Sequence, residues 1–445
     1  MRKLALPLST SVRGVSRFAR NRRVVAMKLR ASLAGVILAG VAAILGTSAC
    51  SEVESAAEWD GSVRDSASVD IVVNFGEPLW REEDRWTLTE VVRIGSVSGD
   101  PETQFGDITG IAIQSDGTIV VSDRMGQHLK FFAPDGSYLR TVGTSGSGPR
   151  EFGSYIIVAR ATGDTLFVMD WSNMQAHWLA PDGTWLGSWK TTPKDGWRLG
   201  GWDGAATGRI VTTMTPLRMP DSPVVDTLDV VLVRDVRGAI LDTLARVPSS
   251  EVFRFSGDAP EWHLWAGYPD YDLTWHGGLV TGRSDLYRLH WHDEQGALER
   301  IVSLHRERLP ITGEDRTRFI DAVERVMTEQ GVPPARIQGI KDGVSFEDLY
   351  PAWRRFICGV GGTLWVQRLR PVSELSDEEV EDALGQRPPP TPEWDVFDAE
   401  GRYLGVVTMP RRFSPRLFRG DHVYGVWRDE LDVQYVLRLK VVQAT

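Results

Sequence analysis

Apolar and small residues alternate in four short runs between Phe105 and Gly153, which is the pattern of β-strands. The runs are residues 108–114, 119–121, 128–133 and 137–142. Asp116-Gly117 separates the first two runs, and Asp135-Gly136 separates the last two. Asp-Gly between apolar runs is a strong signal for a β-hairpin. The stretch therefore predicts a four-stranded antiparallel sheet, which is too small to bury both of its faces alone and should recur.

Glycines recur at two kinds of turn along the chain. Those that close a first strand onto a second are Gly117, Gly163, Gly208, Gly278, Gly362 and Gly420. Those that close a third strand onto a fourth are Gly136, Gly183, Gly238, Gly296 and Gly401. The sixth unit lacks a fourth strand after residues 435–439, and residues 88–95, which match 138–143 in pattern, supply it. The predicted fold class is all-β: a six-bladed β-propeller over residues 78–445, closed by its N-terminal strand.

The spacing of these glycines locates the insertions. The two turn glycines lie 19, 20 and 18 residues apart in blades one, two and four, but 30 and 39 residues apart in blades three and five. Long links also precede blades four and five. Turns alternate between the two ends of an antiparallel meander, so loops between second and third strands share a face with the links between blades. All the long insertions are therefore predicted on one face, where function usually lies in a rigid scaffold.

Two of the insertions carry helix signals. Thr312 and Asp315 form a capping sequence before an amphipathic stretch, and Gly331 ends it. Ser376 and Glu379 form a second capping box. The sequence predicts helical insertions at about 311–350 and 373–392. Two interpretations stay open: a lid beside the channel mouth, or packing that covers a blade edge.

Two motifs and one link resemble a known family. Residues 119–123, IVVSD, and 131–136, FFAPDG, are similar to NHL-type six-bladed propellers. The link at 146–152, GSGPREF, resembles exported bacterial six-bladed propeller lipoproteins of unknown function. The resemblance is sharp over residues 105–190 and rests on turn spacing beyond them. It implies a binding platform, and a few relatives are metal-dependent lyases or hydrolases.

The N-terminal residues have the order of a targeting signal. Residues 27–30 are basic, residues 31–45 are uncharged and mostly apolar, and residues 46–50 read GTSAC. The pattern resembles a bacterial lipobox in which Cys50 is lipidated, with Thr47 standing where Leu is usual. The alternative is an ordinary signal peptide with an incidental cysteine.

We therefore predict a signal peptide over residues 1–49, with Met27 as an alternative start. Residues 50–77 are small, polar and acidic and are expected to form a flexible tether. The predicted location is outside the cytoplasm, anchored to the cell envelope by lipid alone. Ser51 after the lipidated position indicates, by resemblance, the outer membrane or its periplasmic side.

Charge excludes one class of partner. Without the first 49 residues the chain carries 41 basic and 60 acidic residues. This excess of negative charge argues against nucleic acid as a partner. An anionic or sugar-containing ligand, a peptide or an envelope protein remain as candidates.

Arginine and aromatic residues recur at the predicted strand ends and links of the insertion-bearing face. The candidate ligand-binding residues are Arg124, Asp170, Trp171, Trp202, His263, Trp265, Arg283, Asp285, Trp353, Arg368 and Arg428, and the links add Arg150, Arg198, Tyr268, Arg354 and Arg355. Arg binds carboxylates in a bidentate manner, and Trp stacks on sugars or apolar groups. The alternative is that the arginines pair with neighbouring Asp and the tryptophans fill blade interfaces. We expect Arg283 and Arg368 to contribute to binding and little to stability.

Two functions of different class follow. The first is a non-enzymatic, envelope-anchored propeller that binds a ligand or a protein on the insertion-bearing face. The second is a metal-dependent lyase or hydrolase with a central-channel site and a divalent metal. His290 and His292 share one strand face, but no spacing favours a metal site. No catalytic residue, metal ligand or cofactor is therefore assigned.

The lipid anchor has a direct test. Cys50→Ser removes the predicted acceptor of the lipid, so we expect the protein to move from the membrane fraction to the soluble fraction of cells. Cys358→Ser is the matched control, because it removes the only other cysteine and should leave fractionation unchanged. Unchanged fractionation of Cys50→Ser would contradict lipid anchoring.

Overall fold

The computed structural model describes residues 58–192, 197–204, 210–216, 227–235, 237–249, 253–256, 259–274, 277–382, 384 and 388–443. The signal peptide, Cys50 and Gly208 lie outside the described residues, and so does the side chain of Trp202. Within the described ranges, no helix has both the length and the apolar character needed to cross a membrane.

Six four-stranded antiparallel sheets form the blades of a propeller. The strands of blade 1 are Ile108–Ile113, Ile119–Asp123, His128–Phe132 and Tyr138–Val142. Those of blade 2 are Ile156–Arg160, Leu166–Asp170, Gln175–Leu179 and Trp185–Lys190. Those of blade 3 are Trp197–Gly204, Ile210–Pro216, Leu228–Arg234 and Ile240–Pro248.

The second half of the ring repeats the arrangement. The strands of blade 4 are Pro269–Leu273, Leu279–Arg283, Arg288–His292 and Leu298–Leu304. Those of blade 5 are Arg355–Cys358, Leu364–Leu369, Pro390–Phe397 and Tyr403–Thr408. Those of blade 6 are Phe413–Arg419, His422–Arg428, Gln434–Val442 and, from the N-terminal side, Thr87–Ile94. The predicted six-bladed propeller is confirmed.

The ring closes through strands that are far apart in sequence. Thr87–Ile94 pairs antiparallel with Gln434–Val442, as predicted. Gln434 also joins blade 6 to blade 1: its Oε1 accepts a hydrogen bond from the Ile108 N–H at 2.6 Å, and its Nε2 donates to Asp107 Oδ1 at 2.9 Å. The same amide therefore fixes the start of the first blade against the last one.

Apolar layers between neighbouring blades hold the ring together. Val120 and Phe131 of blade 1 belong to one buried cluster with Val168 of blade 2. Because a blade is covered on both faces, its inner strands are apolar at successive positions, and every residue of Ile119–Asp123 is buried. Burial on both faces accounts for the continuous apolar runs in the sequence.

The turn between third and fourth strands has one geometry in five blades. Its glycines, the second predicted set, all have φ between +84° and +90°. Residues with a side chain rarely adopt this conformation, so glycine is required there. The preceding Asp secures the turn; in blade 1, Asp135 accepts a hydrogen bond from the Ser137 N–H at 2.9 Å.

A hairpin that the sequence did not predict extends blade 4. Gly61–Ser66 pairs antiparallel with Val69–Asn74, and the latter pairs in parallel with the outermost strand of blade 4. The tether prediction for residues 50–77 is therefore wrong for this part. The alternating strand Val69–Asn74 lies between two polar segments. The prediction followed the polar composition of residues 50–77 as a whole and not the alternation within this short strand.

Asn74 fastens this hairpin to two blades. Its Nδ2 donates to the carbonyls of Ser303 in blade 4 and Gly401 in blade 5, each at 3.0 Å. Its Oδ1 accepts from the Tyr403 N–H at 2.7 Å and from Trp59 Nε1 at 2.8 Å. The side chain is fully buried, and every one of its hydrogen-bonding groups has a partner.

The insertions pack together into a small unit, which we call the insertion cap. Its helices are α1 (Gly313–Glu329), α2 (Pro334–Asp342) and α3 (Asp377–Asp382). Its strands are Phe253–Ser256, Ala259–Leu264 and Val344–Phe346. Single turns of 3₁₀ helix lie at Pro101–Thr103, Thr162–Asp164, Val360–Gly362 and Val372–Glu374, and Thr144–Ser145 pairs with Glu151–Phe152.

The cap has its own apolar core. Phe319 of α1 packs against Trp265, which also stacks on Tyr350. Val380 of α3 belongs to the same buried cluster. Both predicted capping boxes are present, at α1 and before α3. A second helix, α2, begins at Pro334 within the predicted helical insertion, and proline is well suited to the first position of a helix.

Ring closure predicts the effect of a deletion. Removing residues 86–95 from the full chain leaves blade 6 with an unpaired edge at Gln434–Val442. We expect a loss of well over about 1 kcal/mol in stability. The melting temperature should therefore fall by more than about 2–4 °C. The control is deletion of Gly61–Ser66, an exposed outer strand that is no part of the ring. Equal melting temperatures for the two deletions would contradict closure by Thr87–Ile94.

Candidate functional site

Residues that follow the second strands occupy equivalent positions on the insertion-bearing face. The backbone N–H of Arg124 donates to the carbonyl of Asp107 at 2.8 Å, and that of Trp171 donates to Tyr155 O at 2.9 Å. The N–H of Arg428 bonds the residue before the first strand of blade 6 in the same way, at 3.2 Å. Each bond ties the end of the second strand to the entry of the first, so these side chains start from the same height around the ring.

Two of the predicted arginines meet at one carboxylate. Arg124 Nε donates to Asp107 Oδ2 at 2.6 Å, and Arg428 Nη2 lies 3.9 Å from Asp107 Oδ1. Arg428 also donates from Nη1 to both oxygens of Asp432, at 2.7 and 2.8 Å. Burial opposes ionisation of Asp107, but hydrogen bonds from Arg124 and Gln434 hold the pKa of its carboxyl below the ordinary value. Asp107 is thus an anion at the junction of blades 6 and 1.

A third arginine, Arg416, stands beside this pair. It belongs to the first strand of blade 6, at a bulge between Pro415 and Leu417 where the register shifts. A bulge leaves one residue out of the ladder and re-aims its side chain. Among the described residues, no hydrogen-bond or ion-pair partner is found for the Arg416 guanidinium.

The electrostatic surroundings of Arg416 are unfavourable to its charge. The surrounding protein desolvates the guanidinium and lowers its pKa, and the positive charge of Arg428 lowers it further, while Asp107 and Tyr155 act in the opposite direction. The side chain is nevertheless exposed to solvent. Both observations fit a group inside a channel, which is open to water but enclosed by protein walls.

We call Asp107, Arg124, Tyr155, Arg416 and Arg428 the channel-mouth cluster. The first strands of blades 6, 1 and 2 contact one another in turn, and three of these five residues lie on or directly before these strands. The cluster carries three guanidinium groups, against the carboxylate of Asp107 and the outer carboxylate of Asp432. Tyr155, a residue that is 44% exposed, adds a hydrogen-bonding group. Such a set can bind an anion.

The structure gives Asp170 a structural role. Its carboxylate is fully buried and accepts hydrogen bonds from the N–H groups of Gly153 and Asn173, at 2.7 and 3.0 Å. Asp123 does the same in blade 1, accepting from Gly106 N at 3.0 Å. The repeated Phe-Gly link and strand-end Asp are therefore one device that ties each link to its blade. A ligand cannot reach Asp170.

The predicted tryptophans are core residues. Trp265 is fully buried in the insertion cap, where its ring stacks 4.9 Å from that of Tyr350. Trp353 is fully buried between blades 4 and 5. Trp171 is half-buried and packs against the small cluster around Met169. The prediction of a tryptophan rim is thus wrong for Trp265 and Trp353, because large aromatic side chains fill the gaps between blades.

Three further candidates hold loops together. Arg283 Nε donates to Asp285 Oδ1 at 3.1 Å, and its Nη1 donates to the Ser249 carbonyl at 3.2 Å. His263 bonds Ser345 and Glu347 within the insertion cap, both at 2.9 Å. The contact between Arg283 and Asp285 is the pairing that the alternative interpretation of the rim predicted.

Arg368 belongs to a buried network between blades 4 and 5. Arg368 Nε donates to Asp395 Oδ1 at 2.9 Å, and Arg306 donates to both oxygens of the same carboxylate. Tyr287 and Tyr403 also donate to it, at 2.8 and 3.0 Å. Burial favours protonation of Asp395, but the two guanidinium groups hold the pKa of its carboxyl below the ordinary value. The expectation that Arg368 contributes little to stability is therefore wrong.

The alternative function requires side chains grouped closely enough to hold a metal ion. Across the described residues, no group of three or more His, Cys, Asp or Glu side chains is close enough together to hold a metal ion. His292 instead bonds Thr281 and the Gly296 carbonyl, both at 3.2 Å.

Sequence reasoning missed Arg416 and Asp107. A signal for Arg416 was present. Pro415 and Arg416 interrupt the first strand of blade 6, whereas the first strands of blades 1 and 2 are mostly aliphatic. Asp107 carried no such signal, because its role depends on Arg428 and Gln434, which are distant in sequence.

The Asp395 network predicts a stability difference between two arginines. Arg368→Ala leaves a buried carboxylate with one guanidinium fewer, so we expect a loss of about 1–3 kcal/mol in the free energy of unfolding by urea. Arg283→Ala breaks a half-exposed pair and should cost about 0–1 kcal/mol. Equal losses for the two variants would contradict a buried structural role for Arg368.

No family model and no curated protein matches the sequence. Among solved structures, the chain is similar to a member of the DUF4221 family from Bacteroides vulgatus, at 12% identity and TM-score 0.49, over 82% of this chain and 100% of that one. A Bacteroides fragilis protein described as exported is 10% identical at TM-score 0.46, over 84% and 100%. Virginiamycin B lyase from Staphylococcus aureus is 8% identical at TM-score 0.40, over 80% and 100%. At such identities and TM-scores these similarities assign no function, and the propeller fold rests on the strand pairing described above.

Proposed function

We propose that this protein is a non-enzymatic binding propeller that holds an anionic ligand at the channel-mouth cluster, on the insertion-bearing face. The observation that carries the proposal is the Arg416 guanidinium, which is exposed, lacks a partner among the described residues and lies beside a second arginine. A carboxylate or sulfate group would supply the missing counter-charge and accept hydrogen bonds from the guanidinium fork.

The neighbouring residues support the same ligand class. Arg124 and Arg428 share Asp107, so that carboxylate is already neutralised before a ligand arrives. The cluster then keeps a net positive charge although the chain as a whole is acidic. A positive site within a negative surface favours a small anionic group at this point over broad contact with a polyanion.

The insertion cap borders the channel mouth. Arg412, which directly precedes the first strand of blade 6, pairs through Nη2 with Glu378 of α3 at 3.2 Å. The cap core holds α3 in place, so the cap forms a fixed wall on this side. Its position supports recognition of the part of a ligand that extends away from the anionic group.

Envelope attachment remains the sequence prediction. Cys50 after an apolar run supports export and lipid anchoring at the outer membrane or its periplasmic side. At the envelope the propeller would meet glycans, peptides and proteins. Such molecules carry carboxylates, which is the chemistry that the three arginines favour.

The test is a binding screen followed by matched arginine variants. Soluble anionic glycans and acidic peptides are screened against the purified full chain. For any that binds, we expect Arg416→Ala to weaken the affinity by about tenfold to a hundredfold, since one charge-assisted hydrogen bond is lost. Binding should also weaken as salt concentration rises. Arg237→Ala is the control, because Arg237 is an exposed arginine on a turn of the opposite face.

Two results would contradict the proposal. One is that neutral members of the panel bind while no anionic member does. The other is an anionic ligand whose affinity is the same in Arg416→Ala and the parent protein, since its site would then lie elsewhere.

A further inference from the structure

The repeat gives blades 1 and 2 matching positions that can be compared directly. Lys130 of blade 1 and His177 of blade 2 occupy the same place, each in the third strand, opposite Val121 and Val168 respectively. Phe105 and Phe152, at the end of the preceding links, are equivalent too. In both blades, a polar side chain is therefore buried beneath the link that enters the blade.

In blade 1, backbone carbonyls of the link accept hydrogen bonds from this side chain. The Lys130 Nζ donates to the carbonyls of Pro101 and Gln104, at 2.8 and 2.6 Å. Both carbonyls belong to the link that enters the blade. Two of the three N–H donors of this buried ammonium therefore have acceptors, in keeping with the general pairing of buried polar groups.

Blade 2 leaves the equivalent group without a hydrogen bond, although a carboxylate lies nearby. The His177 side chain is only 5% exposed, and neither ring nitrogen forms a hydrogen bond with any described residue. The nearest carboxylate oxygen, Asp170 Oδ2, lies 3.7 Å from Nε2, which is longer than a hydrogen bond. Phe152 and Trp185 pack against the ring, with centroids 5.7 and 4.9 Å away. The surrounding protein covers both nitrogens, so a ligand group bonds the imidazole only when a neighbouring group moves aside.

An open cavity of about 470 Å³ lies at this imidazole. We call it the blade 2 groove; its polar and aromatic lining includes Ser147, Gly148, Arg150, His177, Trp185 and Ser188. The volume falls within the range typical of small-molecule sites. The groove lies under the link from blade 1 to blade 2 and shares no residue with the channel-mouth cluster.

The lining residues define the ligand chemistry. Arg150 is exposed, and its guanidinium has no ion-pair partner within the described parts of the chain, so it can bind a carboxylate. Trp185 offers an aromatic surface beside His177, which suits the face of a ring. The imidazole can accept a hydrogen bond from a hydroxyl and donate one to it.

We propose that the blade 2 groove is a second ligand site, for one sugar ring that carries a carboxylate, of the hexuronic acid class. Arg150 binds the carboxylate, Trp185 contacts the ring, and His177 bonds a ring hydroxyl. The proposal goes beyond the proposed function, because it concerns a different part of the molecule and does not depend on Arg416.

The test is calorimetric titration of the full chain with sodium glucuronate, with glucose as the uncharged match. We expect glucuronate to bind and glucose to bind at least about tenfold more weakly, because glucose lacks the carboxylate. Arg150→Asn should weaken glucuronate binding by about tenfold to a hundredfold. Asn is chosen because Arg150 has a φ of +65°, a conformation that Asn tolerates.

A second variant keeps the test decisive. His177→Phe preserves an aromatic ring and removes both nitrogens, so we expect the melting temperature to stay close to the parent value and glucuronate binding to weaken at least about tenfold. Arg416→Ala is the control and should leave glucuronate binding unchanged. The proposal is overturned if glucuronate does not bind up to about 10 mM, if glucose binds as well, if Arg150→Asn binds normally, or if Arg416→Ala is the variant that abolishes binding.

Discussion

The pairing of Thr87–Ile94 with Gln434–Val442 is the constraint on which the rest of this structure depends. A propeller blade is covered on both faces by its neighbours, so no blade is stable with one neighbour missing. The closing pair brings the first and last blades together, and Gln434 then fixes Asp107 against blade 6. The channel-mouth cluster exists only because of this closure: Asp107 and Arg124 come from blade 1, and Arg416 and Arg428 from blade 6.

The opposite side of the ring is secured by polar contacts. Asp395 gathers Arg306, Arg368 and two tyrosines between blades 4 and 5, and Asn74 joins the added hairpin to the same two blades. The insertion cap emerges at these blades and packs around its own core. Reinforcement thus lies where the long insertions leave the ring, whereas blades 6, 1 and 2 carry short links and leave the channel mouth and the blade 2 groove open.

The propeller could be predicted because its signals are local: Asp-Gly turns, strand length and the spacing of glycines. Site residues were harder to predict, since a strand-end arginine reads the same whether it faces a ligand or, like Arg368, a buried carboxylate. Trp265 and Trp353 were misassigned because links between blades also supply the aromatic residues that fill the core. Arg416 was missed because a bulge takes it out of the strand alternation, and His177 because its significance appears only in comparison with Lys130.

We propose above that Arg416 at the channel mouth binds an anion. The most direct measurement is anomalous diffraction from crystals of the protein soaked in selenate, an oxyanion whose selenium can be located unambiguously. We expect a selenium peak within bonding distance of the Arg416 guanidinium, and its loss in crystals of Arg416→Ala. Selenate bound only at other arginines, with none at Arg416, would contradict it.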